Sequence, residues 1–447
     1  MKIDLFQMSQ MSLVKNKKIL LYTYILFHIS LLAIIIWKTQ PWITGDSNRF
    51  LALADSFGSS EGFGLKSGEI FEPEGWRMPG YPFFIFFAKL IGNNSNFGII
   101  LLQTVLYIAS IWLVWKITTK IFGYPTNIIF LLLSSIYPFV MYSIGQISPE
   151  IPTVFLLSLA VFLLLKPSNP RIIAAAFLIG LSAYFRPNLL LLNGVLFFSF
   201  LLFNYRNWRK PALVLITAFL VAAPYTIRNY LTFGKLTPLP VITGTGNPLM
   251  IAAWSSKIST NSIVKYGMHG EITDELKQSG MLEQISEINE RVGVPKETIF
   301  VTPESYPTNE LKLKANELLI DGAYHNIYNN PLGFIKVVSI NSVRMWFSST
   351  FPENYPWWFR TILLLEGIII ALLGLIGLVI ALKNRNKENN FIIIFLFGLL
   401  SYFIVTLSWS HTEARYTISV RLFVLMFASY AIYKLLRFSK YRILKRD

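Results

Sequence analysis

The chain has 447 residues, of which 53% are hydrophobic and only 14% charged, a balance that excludes an ordinary soluble domain and predicts an integral membrane protein. The net charge of +16 would suit a nucleic-acid-binding protein only if the basic residues gathered on one folded face. They occur instead in short runs between apolar stretches, so we expect no nucleic-acid partner, and the absence of cysteine excludes disulfides and thiolate metal sites.

Ten apolar stretches predict helices that cross a bilayer, because roughly 20 apolar residues span hydrocarbon about 30 Å thick. The seven clear spans are Ile19 to Trp37, Phe97 to Trp115, Asn127 to Ile147, Ala212 to Ile227, Thr361 to Leu382, Phe391 to Trp409 and Ile418 to Tyr433. Three shorter stretches lie between them: Ile151 to Leu165, Ile172 to Phe185 and Asn188 to Phe203. The sequence therefore predicts an all-α membrane protein with about ten transmembrane helices.

The stretch from Ile172 to Phe203 could instead be one long kinked helix with Arg186 inside it, which would leave nine spans. The distribution of basic residues decides, because Lys and Arg favour cytoplasmic loops. With ten spans, the cytoplasmic segments hold 20 of the 40 basic residues and three of the 24 acidic ones, a charge of +17 against −1 outside. Nine spans would export Arg206, Arg209 and Lys210. We therefore expect ten spans in the cytoplasmic membrane, with both termini in the cytoplasm.

The first span follows Lys15-Asn16-Lys17-Lys18, which is also typical of a signal peptide. Its apolar core is longer than an ordinary signal-peptide core, and no small-x-small cleavage site precedes Pro41. We expect an uncleaved anchor.

The spans divide the chain into three regions. Residues 1–230 form an N-terminal transmembrane region with a first extracytoplasmic loop at 38–96, residues 231–360 form a large extracytoplasmic loop, and residues 361–447 form a C-terminal transmembrane region. Helical patterns within the loops predict interfacial helices at Phe83 to Ile91 and Phe334 to Phe347, and surface helices at Ile272 to Arg291 and Asn309 to Tyr328.

Common catalytic motifs are missing from the sequence. There is no nucleotide-phosphate loop, no Gly-x-Ser-x-Gly elbow and no His-Glu-x-x-His pair. ATP-driven transport and serine or zinc proteolysis therefore lose support, and the chemistry must come from polar residues gathered at one membrane surface.

The first external loop places a carboxylate, Asp46, only a few residues beyond the first span. Asp is common as the N-cap of a helix, and a helix beginning near Ser47 would give Asp46 that role. A catalytic role is the alternative, and the two are compatible.

Several motifs in chain order resemble the family 39 glycosyltransferases of the GT-C superfamily, whose relatives include protein O-mannosyltransferases and the lipid A aminoarabinose transferase. The similarity runs from about Asp46 to Tyr430. Its motifs are Asp46 with Phe50, Leu53 and Ala54; Arg77-Met78-Pro79-Gly80-Tyr81-Pro82; Ser148-Pro149-Glu150; Gly180 to Asn188; Ala223 to Tyr230 with Phe233-Gly234; Asn329 to Phe334; and Glu413-Ala414-Arg415-Tyr416. Two departures limit it: Phe50 stands where relatives commonly have Tyr, and Ser262 to Tyr306 has no counterpart.

The resemblance implies a sugar donor carried on polyprenyl phosphate and an acceptor hydroxyl that attacks its anomeric carbon. Asp46 matches the catalytic aspartate of the family, and a carboxylate there could take the hydroxyl proton. Glu150 matches a second acidic position and would orient Asp46 or the substrate. A helix cap or an ion pair with Arg186 is the alternative for Glu150.

Arginines at the predicted outer ends of spans are candidates for holding the lipid phosphate, because a guanidinium binds phosphate with two parallel hydrogen bonds. Each alone could instead be an interfacial anchor. The substrate-binding candidates are Arg186, Arg228 and Arg415, with Arg77, Tyr81 and Tyr416 from the motifs. Arg421 lies within the last span and needs a buried partner that the sequence does not identify.

No obligatory metal or cofactor is expected, because His269, His325 and His411 lack the close spacing of a metal pair. A divalent metal would be possible but has no support. The expected partners are a polyprenyl-phosphate sugar, membrane lipids and an acceptor that is a lipid, a glycan or a protein.

The sequence thus predicts a membrane glycosyltransferase acting on the extracytoplasmic face. A flippase or transporter of lipid-linked sugars is the main alternative, but transporters place polar sites near the midplane of paired repeats, and no such repeat is found. A catalytically inactive assembly partner is a third possibility, against which the intact Asp46 argues.

Overall fold

A computed structural model of the protein describes residues 43, 46–67, 70–204, 208–242, 246–269, 274–296, 308–347, 357–410 and 413–443. The predicted first span, Ile19 to Trp37, and His411 lie outside the described residues. So does most of the stretch from about 297 to 307 within the region without counterpart.

The described residues form helices joined by short connections, with a single small hairpin. The N-terminal part contains α1 (Ser47–Ser56), β1 (Gly64–Ser67), β2 (Ile70–Pro73), α2 (Gly80–Ile91), α3 (Phe97–Phe122), α4 (Thr126–Ile136), α5 (Pro138–Tyr142), α6 (Glu150–Leu164), α7 (Asn169–Phe185), a short 3₁₀ helix (Pro187–Leu189), α8 (Leu192–Asn204) and α9 (Arg209–Phe233). The strands β1 and β2 pair antiparallel, with Gly64 opposite Pro73.

The second half is also helical. It contains α10 (Gly246–Ser255), α11 (Thr260–His269), α12 (Asp274–Gln278), α13 (Met281–Val292), α14 (Asn309–Asn329), α15 (Pro331–Arg344), α16 (Trp357–Lys383), α17 (Asn390–Ser408), a 3₁₀ helix (Ala414–Thr417) and α18 (Ile418–Ile443).

Five of the described helical segments are long and apolar enough to cross a membrane: Phe97–Phe122, Arg209–Phe233, Thr361–Lys383, Asn390–Ser408 and Ala414–Phe438. Five shorter apolar helices accompany them, including α4, α6, α7 and α8. The chain is therefore an all-α multi-pass membrane protein, as predicted. The number of ten spans stays a prediction, because length and composition alone do not show which short helices cross.

The predicted span Asn127 to Ile147 is wrong in its continuity. Helix α4 ends at Ile136, Tyr137 has a non-helical backbone (φ −98°, ψ 89°), and Pro138 begins α5. The residue before a proline disfavours the α conformation, and proline has no N–H to continue the hydrogen bonds of the preceding turn. The chain then turns and reaches α6 at Glu150.

The stretch from Ile172 to Phe203 is not one continuous helix. At Arg186 the backbone is extended (φ −139°, ψ 103°), and the 3₁₀ helix follows before α8 begins. The cause is again a proline, Pro187, which disfavours helical backbone at the residue before it. The guanidinium of Arg186 is thereby placed at the end of α7.

Helices α10 to α15 pack around a core of their own, which includes Met250, Leu276, Ile285 and Leu319. The helix predicted over Ile272 to Arg291 is two helices, α12 and α13, separated at Gly280, which has a φ of +84° that favours glycine. The prediction for Asn309 to Tyr328 matches α14 within a residue. We call α10 to α15 the helical subdomain.

Polar contacts join the helical subdomain to the hairpin and to the transmembrane bundle. At the hairpin, the Lys312 ammonium pairs with Glu72 of β2, and Asn309 Nδ2 donates to the carbonyl of Pro73 at 3.1 Å. At the bundle, Asn341 Nδ2 of α15 donates to the carbonyls of Ser408 and Ser410, each at 3.0 Å, at the end of α17. The subdomain therefore lies over the end of the bundle that carries the hairpin.

Helix α18 lies in the middle of the bundle, and most of its side chains from Ser419 to Ala431 are buried. Arg421 finds its partners there: it donates to the Tyr137 hydroxyl at 2.7 Å, to Thr417 Oγ1 at 2.8 Å and to the carbonyl of Trp346 at 3.0 Å. The buried guanidinium thus connects α18 with the break between α4 and α5 and with the residues that follow α15.

Candidate functional site

Asp46 lies immediately before α1, in the N-cap position, but its side chain does not cap the helix. Its backbone is itself helical (φ −76°, ψ −23°), so the carboxylate is directed away from the first amides of α1. Oδ1 accepts a hydrogen bond from Nη2 of Arg77, and Oδ2 lies 3.3 Å from Nη2 of Arg415. The carboxylate, with 31% of its side chain exposed, therefore bridges two guanidinium groups.

Arg77 reaches Asp46 from the connection between β2 and α2. Its guanidinium carbon lies 3.8 Å from the centre of the Trp76 ring and 5.2 Å from that of Phe50. Its backbone N–H donates to Glu74 Oε1 at 2.9 Å. Both ends of the Arg77 side chain are thus held, so its position does not depend on the Asp46 pair alone.

Arg415 comes from the 3₁₀ helix between α17 and α18. Its Nε lies 2.6 Å from Glu413 Oε2, and the Tyr416 hydroxyl donates to Glu413 Oε1 at 3.4 Å. A 3₁₀ turn brings residues three apart to the same side, which is why Glu413 and Tyr416 meet. Glu413 therefore holds Arg415 through both Nε and Nη2, the second of which also faces Asp46.

Glu150 and Arg186 form a second layer of the site. Arg186 Nη1 donates to Glu150 Oε1 at 2.9 Å, and only 2% of the Glu150 side chain is exposed. The guanidinium carbon of Arg186 lies 4.8 Å from the centre of the Tyr416 ring. Glu150 Oε2 is buried without a hydrogen-bond partner among the described residues. Glu150 thus forms the ion pair with Arg186, and a role in orienting Asp46 or the substrate stays a prediction.

Burial by itself would raise the pKa of Asp46, but Arg77, Arg415 and, more weakly, Arg186 outweigh it and hold the pKa below its ordinary value of 3.8. Asp46 is consequently ionised at neutral pH. An ionised carboxylate can accept a proton, and the two arginines around it can bind an anion.

Two predicted site residues lie elsewhere. Tyr81 is fully buried, and its hydroxyl donates to Gln103 Oε1 at 3.1 Å, so it packs beneath the site and is not open to a substrate. Arg228, at the end of α9, donates to Asn229 Oδ1 at 3.1 Å and lies over the Phe233 ring at 5.0 Å. Of the three arginines expected at one face, Arg186 and Arg415 meet near Asp46, whereas Arg228 lies in a separate aromatic surrounding.

Sequence reasoning missed Glu74, Arg49 and the part played by Glu413. Glu74 is buried between Arg49 and the backbone of Trp76 and Arg77. Its position three residues before the motif arginine was the available signal. Among the residues that the structure describes, no three His, Asp or Glu side chains are grouped as metal ligands, and the absence of an obligatory metal stays a prediction.

Comparison with known proteins agrees with this architecture. The family model of the dolichyl-phosphate-mannose-protein mannosyltransferases matches residues 76–227, about a third of the chain. No curated protein sequence matches. The matched residues run from the Arg77 motif through Glu150 and Arg186 into α9, ending six residues before that helix does.

Solved structures match over nearly the whole chain. The archaeal oligosaccharyltransferase AglB from Archaeoglobus fulgidus, in complex with an inhibitory peptide and a dolichol-phosphate, is 12% identical with a TM-score of 0.52, over 96% of this chain and 52% of that one. An Archaeoglobus fulgidus oligosaccharyltransferase tethered with an acceptor peptide is 14% identical with a TM-score of 0.51, over 96% of this chain and 51% of that one. ArnT from Cupriavidus metallidurans, bound to undecaprenyl phosphate, is 11% identical with a TM-score of 0.40, over 89% and 78%.

The chain therefore has the GT-C fold, and the resemblance to GT-C glycosyltransferases found in its motifs is confirmed. It spans about half the length of the oligosaccharyltransferase that it matches.

Proposed function

We propose that this protein is a glycosyltransferase that moves a sugar from a polyprenyl-phosphate donor to an acceptor hydroxyl at the extracytoplasmic face of the membrane. The observation that supports this best is the ionised Asp46 carboxylate between Arg77 and Arg415 at one end of a GT-C bundle. One group can accept a proton there, and two can bind a phosphate.

The arginines around Asp46 suit the donor phosphate. Each oxygen of Asp46 is matched by one guanidinium. A lipid phosphate entering at this depth would offer the same guanidinium groups a stronger partner with more oxygens. Arg415 would then turn from Asp46 toward the phosphate, and the Asp46 carboxylate would become available to the acceptor. The oligosaccharyltransferase with the matching fold is solved with a dolichol-phosphate.

The reaction is a displacement at the anomeric carbon. The acceptor oxygen forms a bond to that carbon while the bond from the carbon to the phosphate oxygen breaks, and polyprenyl phosphate leaves with the electron pair. The hydroxyl proton passes to Asp46, which returns it to water after the product departs. Phosphate is already a good leaving group, so the main need is a base, and a base positioned within hydrogen-bond reach contributes about 10² to 10⁴ in rate.

The charge distribution supports the orientation. The end of the bundle away from Asp46 carries Lys116 and Lys120 near the end of α3, Lys166 after α6 and Lys383 at the end of α16, and basic residues of this kind favour the cytoplasm. The site and the helical subdomain would then face the extracytoplasmic side.

The test compares cells with and without the protein. Mass spectrometry of cell-envelope glycans, lipids and proteins should show one glycoconjugate that disappears on deletion and does not return with Asp46→Asn. A transporter or assembly partner would not need the carboxylate, so full restoration by Asp46→Asn would reject the enzymatic function.

A further inference from the structure

We infer that Glu74 is a positioning residue for the proposed transfer reaction: together with Arg49 it sets the guanidinium of Arg77 against Asp46. The inference rests on the proposed function for its purpose but on the contacts of Glu74 for its geometry. None of the motifs that carry the family resemblance contains Glu74.

The two oxygens of the Glu74 carboxylate accept hydrogen bonds from different donors. Oε2 accepts from Arg49 Nη2 at 2.6 Å and from Arg49 Nε at 3.1 Å, so one carboxylate oxygen receives two charge-assisted hydrogen bonds from the same guanidinium. Oε1 accepts from the backbone N–H of Trp76 at 2.6 Å and of Arg77 at 2.9 Å. No part of the Glu74 side chain is exposed, whereas 13% of the Arg49 side chain is.

These contacts close a ring through the site. Arg49 lies in the first turn of α1, three residues after Asp46. Glu74 connects Arg49 to the backbone of Arg77, and the Arg77 side chain returns to Asp46. The relative position of Asp46 and Arg77 is thus fixed in two ways: by their direct contact, and by the hydrogen bonds of Glu74 to Arg49 and to the Arg77 backbone.

The hydrogen bonds of Glu74 matter when the donor binds. Where the donor phosphate also competes with Asp46 for the guanidinium of Arg77, the direct pair alone no longer fixes Arg77. The hydrogen bonds to its backbone and the stacking on Trp76 at 3.8 Å remain. Glu74 therefore keeps Arg77 preorganised in the donor complex as well as without donor, and preorganisation of this kind limits the misplacement that slows transfer.

A purely structural role for Glu74 would have a different signature. A buried carboxylate paired with an arginine often matters for folding alone, because removing one partner leaves the other charge buried. Such a role predicts lower thermal stability with an unchanged environment at Asp46. Positioning predicts that Asp46 loses the neighbouring cation even in the fraction of protein that is folded.

The experiment reads the protonation of Asp46 without relying on activity. The full-length protein in detergent, without donor, is labelled with a water-soluble carbodiimide from pH 3 to 7, and Asp46 modification is followed by peptide mass spectrometry. Carbodiimides attack the protonated carboxyl, and the partly exposed side chain of Asp46 admits the reagent. The charged or polar groups that face Asp46 among the described residues are Arg77, Arg186, Arg415 and Tyr416.

Glu74→Ala should move the midpoint of Asp46 labelling upward by about one pH unit, because an opposite charge within 4 to 6 Å lowers a carboxyl pKa by about 1 to 3 units. Arg49→Met should shift it in the same direction, and Glu74→Gln, which keeps an acceptor for the two amides, should shift it less. Glu61→Gln is the matched control, since Glu61 pairs with Lys66 at 2.9 Å in the same loop, and both side chains are exposed.

Folding of each variant is checked by monodisperse elution in size-exclusion chromatography and by a thermal melt. If Glu74→Ala fails to fold, the labelling midpoint of Asp46 is measured in Arg49→Met or Glu74→Gln instead. An unchanged midpoint in the folded variants would overturn the positioning role. A shifted midpoint in a protein whose wild type transfers no sugar would support the positioning role and count only against the proposed function.

Discussion

Asp46 and Arg415 are 369 residues apart in the chain and meet in the folded protein, with 3.3 Å between Oδ2 and Nη2. One stands just before α1, and the other in the 3₁₀ helix that leads into α18. The contact joins the first described helix to the last one, so the site exists only when the whole bundle has formed.

Replacing Asp46 with Asn should leave the protein folded and inserted while turnover falls at least roughly a hundredfold, the usual scale for loss of a general base. The amide has nearly the shape of the carboxylate but cannot take the acceptor proton. Asp55→Asn is the matched control, because Asp55 lies in α1, the helix that Asp46 precedes, and pairs with Lys89 at 2.6 Å. Near-normal transfer by Asp46→Asn would leave Asp46 no role as the base.

The acid side of the pH profile should respond to Arg415. In the wild type the pKa of Asp46 is held below 3.8 by Arg77 and Arg415 against the effect of burial. In the proposed mechanism deprotonated Asp46 is the active form, so activity should be lost as the pH falls through that low pKa. Arg415→Met removes one lowering charge and leaves burial, so the acid limb of kcat/KM should move to higher pH. A limb that stays in place or moves down would contradict this assignment.

The arginine variants should differ in their effects on lipid-phosphate binding and on the acid limb of the pH profile. Loss of one partner of a desolvated charge pair costs about 2 to 5 kcal/mol, so Arg186→Ala and Arg415→Ala should weaken binding of undecaprenyl phosphate. Arg228→Ala should leave the binding of undecaprenyl phosphate and the acid limb nearly unchanged, because Arg228 lies apart from Asp46 and is not among the charges that lower its pKa. Lysine at position 186 or 415 should hurt less than alanine, since it keeps the charge but loses the planar fork.

Binding of undecaprenyl phosphate to the purified variants, with acceptor affinity measured in parallel, tests this division. If Arg186→Ala and Arg415→Ala also bind the lipid phosphate normally, these two arginines are interfacial anchors.

The orientation can be mapped with single cysteines, because the chain has none of its own. Cysteine in place of Lys277, whose side chain is 56% exposed in the helical subdomain, should react with a membrane-impermeant maleimide from outside the cell. Cysteine at Arg385, in the exposed connection between α16 and α17, should react only after the membrane is permeabilised. The reverse pattern would reject the ten-span arrangement with cytoplasmic termini.

Arg421→Met should lower the stability of the protein without a direct effect on donor or acceptor affinity. It leaves the Tyr137 hydroxyl and the carbonyls of Met345 and Trp346 without their donor, at about 1 to 3 kcal/mol for a buried group left unpaired. A thermal melt in detergent, with the exposed Arg385→Met as control, measures the loss. An unchanged melting temperature would mean that water or neighbouring groups replace the guanidinium.

The long apolar helices and the motif residues near Asp46 were accessible from the sequence, because span length and ordered motifs are local properties. The break at Tyr137 was readable in principle from Pro138, but a single proline inside a long apolar stretch is compatible with a kinked helix as well as with two helices. The four-residue strands β1 and β2 are too short to show a clear alternation of apolar and polar side chains.

Side-chain destinations were harder to predict. Tyr81 belongs to a motif beside the site, yet α2 turns it inward, because Gly80 packs against the backbone of Tyr184 so closely that a Cβ would lie 2.6 Å from its carbonyl oxygen. The separation of Arg228 from Arg186 depends on how α7 and α9 are arranged around the hairpin, and no local pattern encodes that. The contacts of Glu74 with Arg49 and with the Trp76 amide could not be predicted, because they depend on how α1 and the connection after β2 lie in three dimensions.

The two halves of the Asp46 environment come into being at different times during synthesis. The ring through Arg49, Glu74 and Arg77 lies within residues 46–77. Arg415 is 369 positions after Asp46. At about 5 to 20 residues per second, the ribosome adds Arg415 roughly 20 to 70 s after Asp46. A nascent chain in the translocon thus carries Asp46 with one guanidinium at most, and the carboxylate acquires its second only when the final helix enters the membrane. Chains that stall before that point should therefore be inert toward the lipid-linked sugars around them.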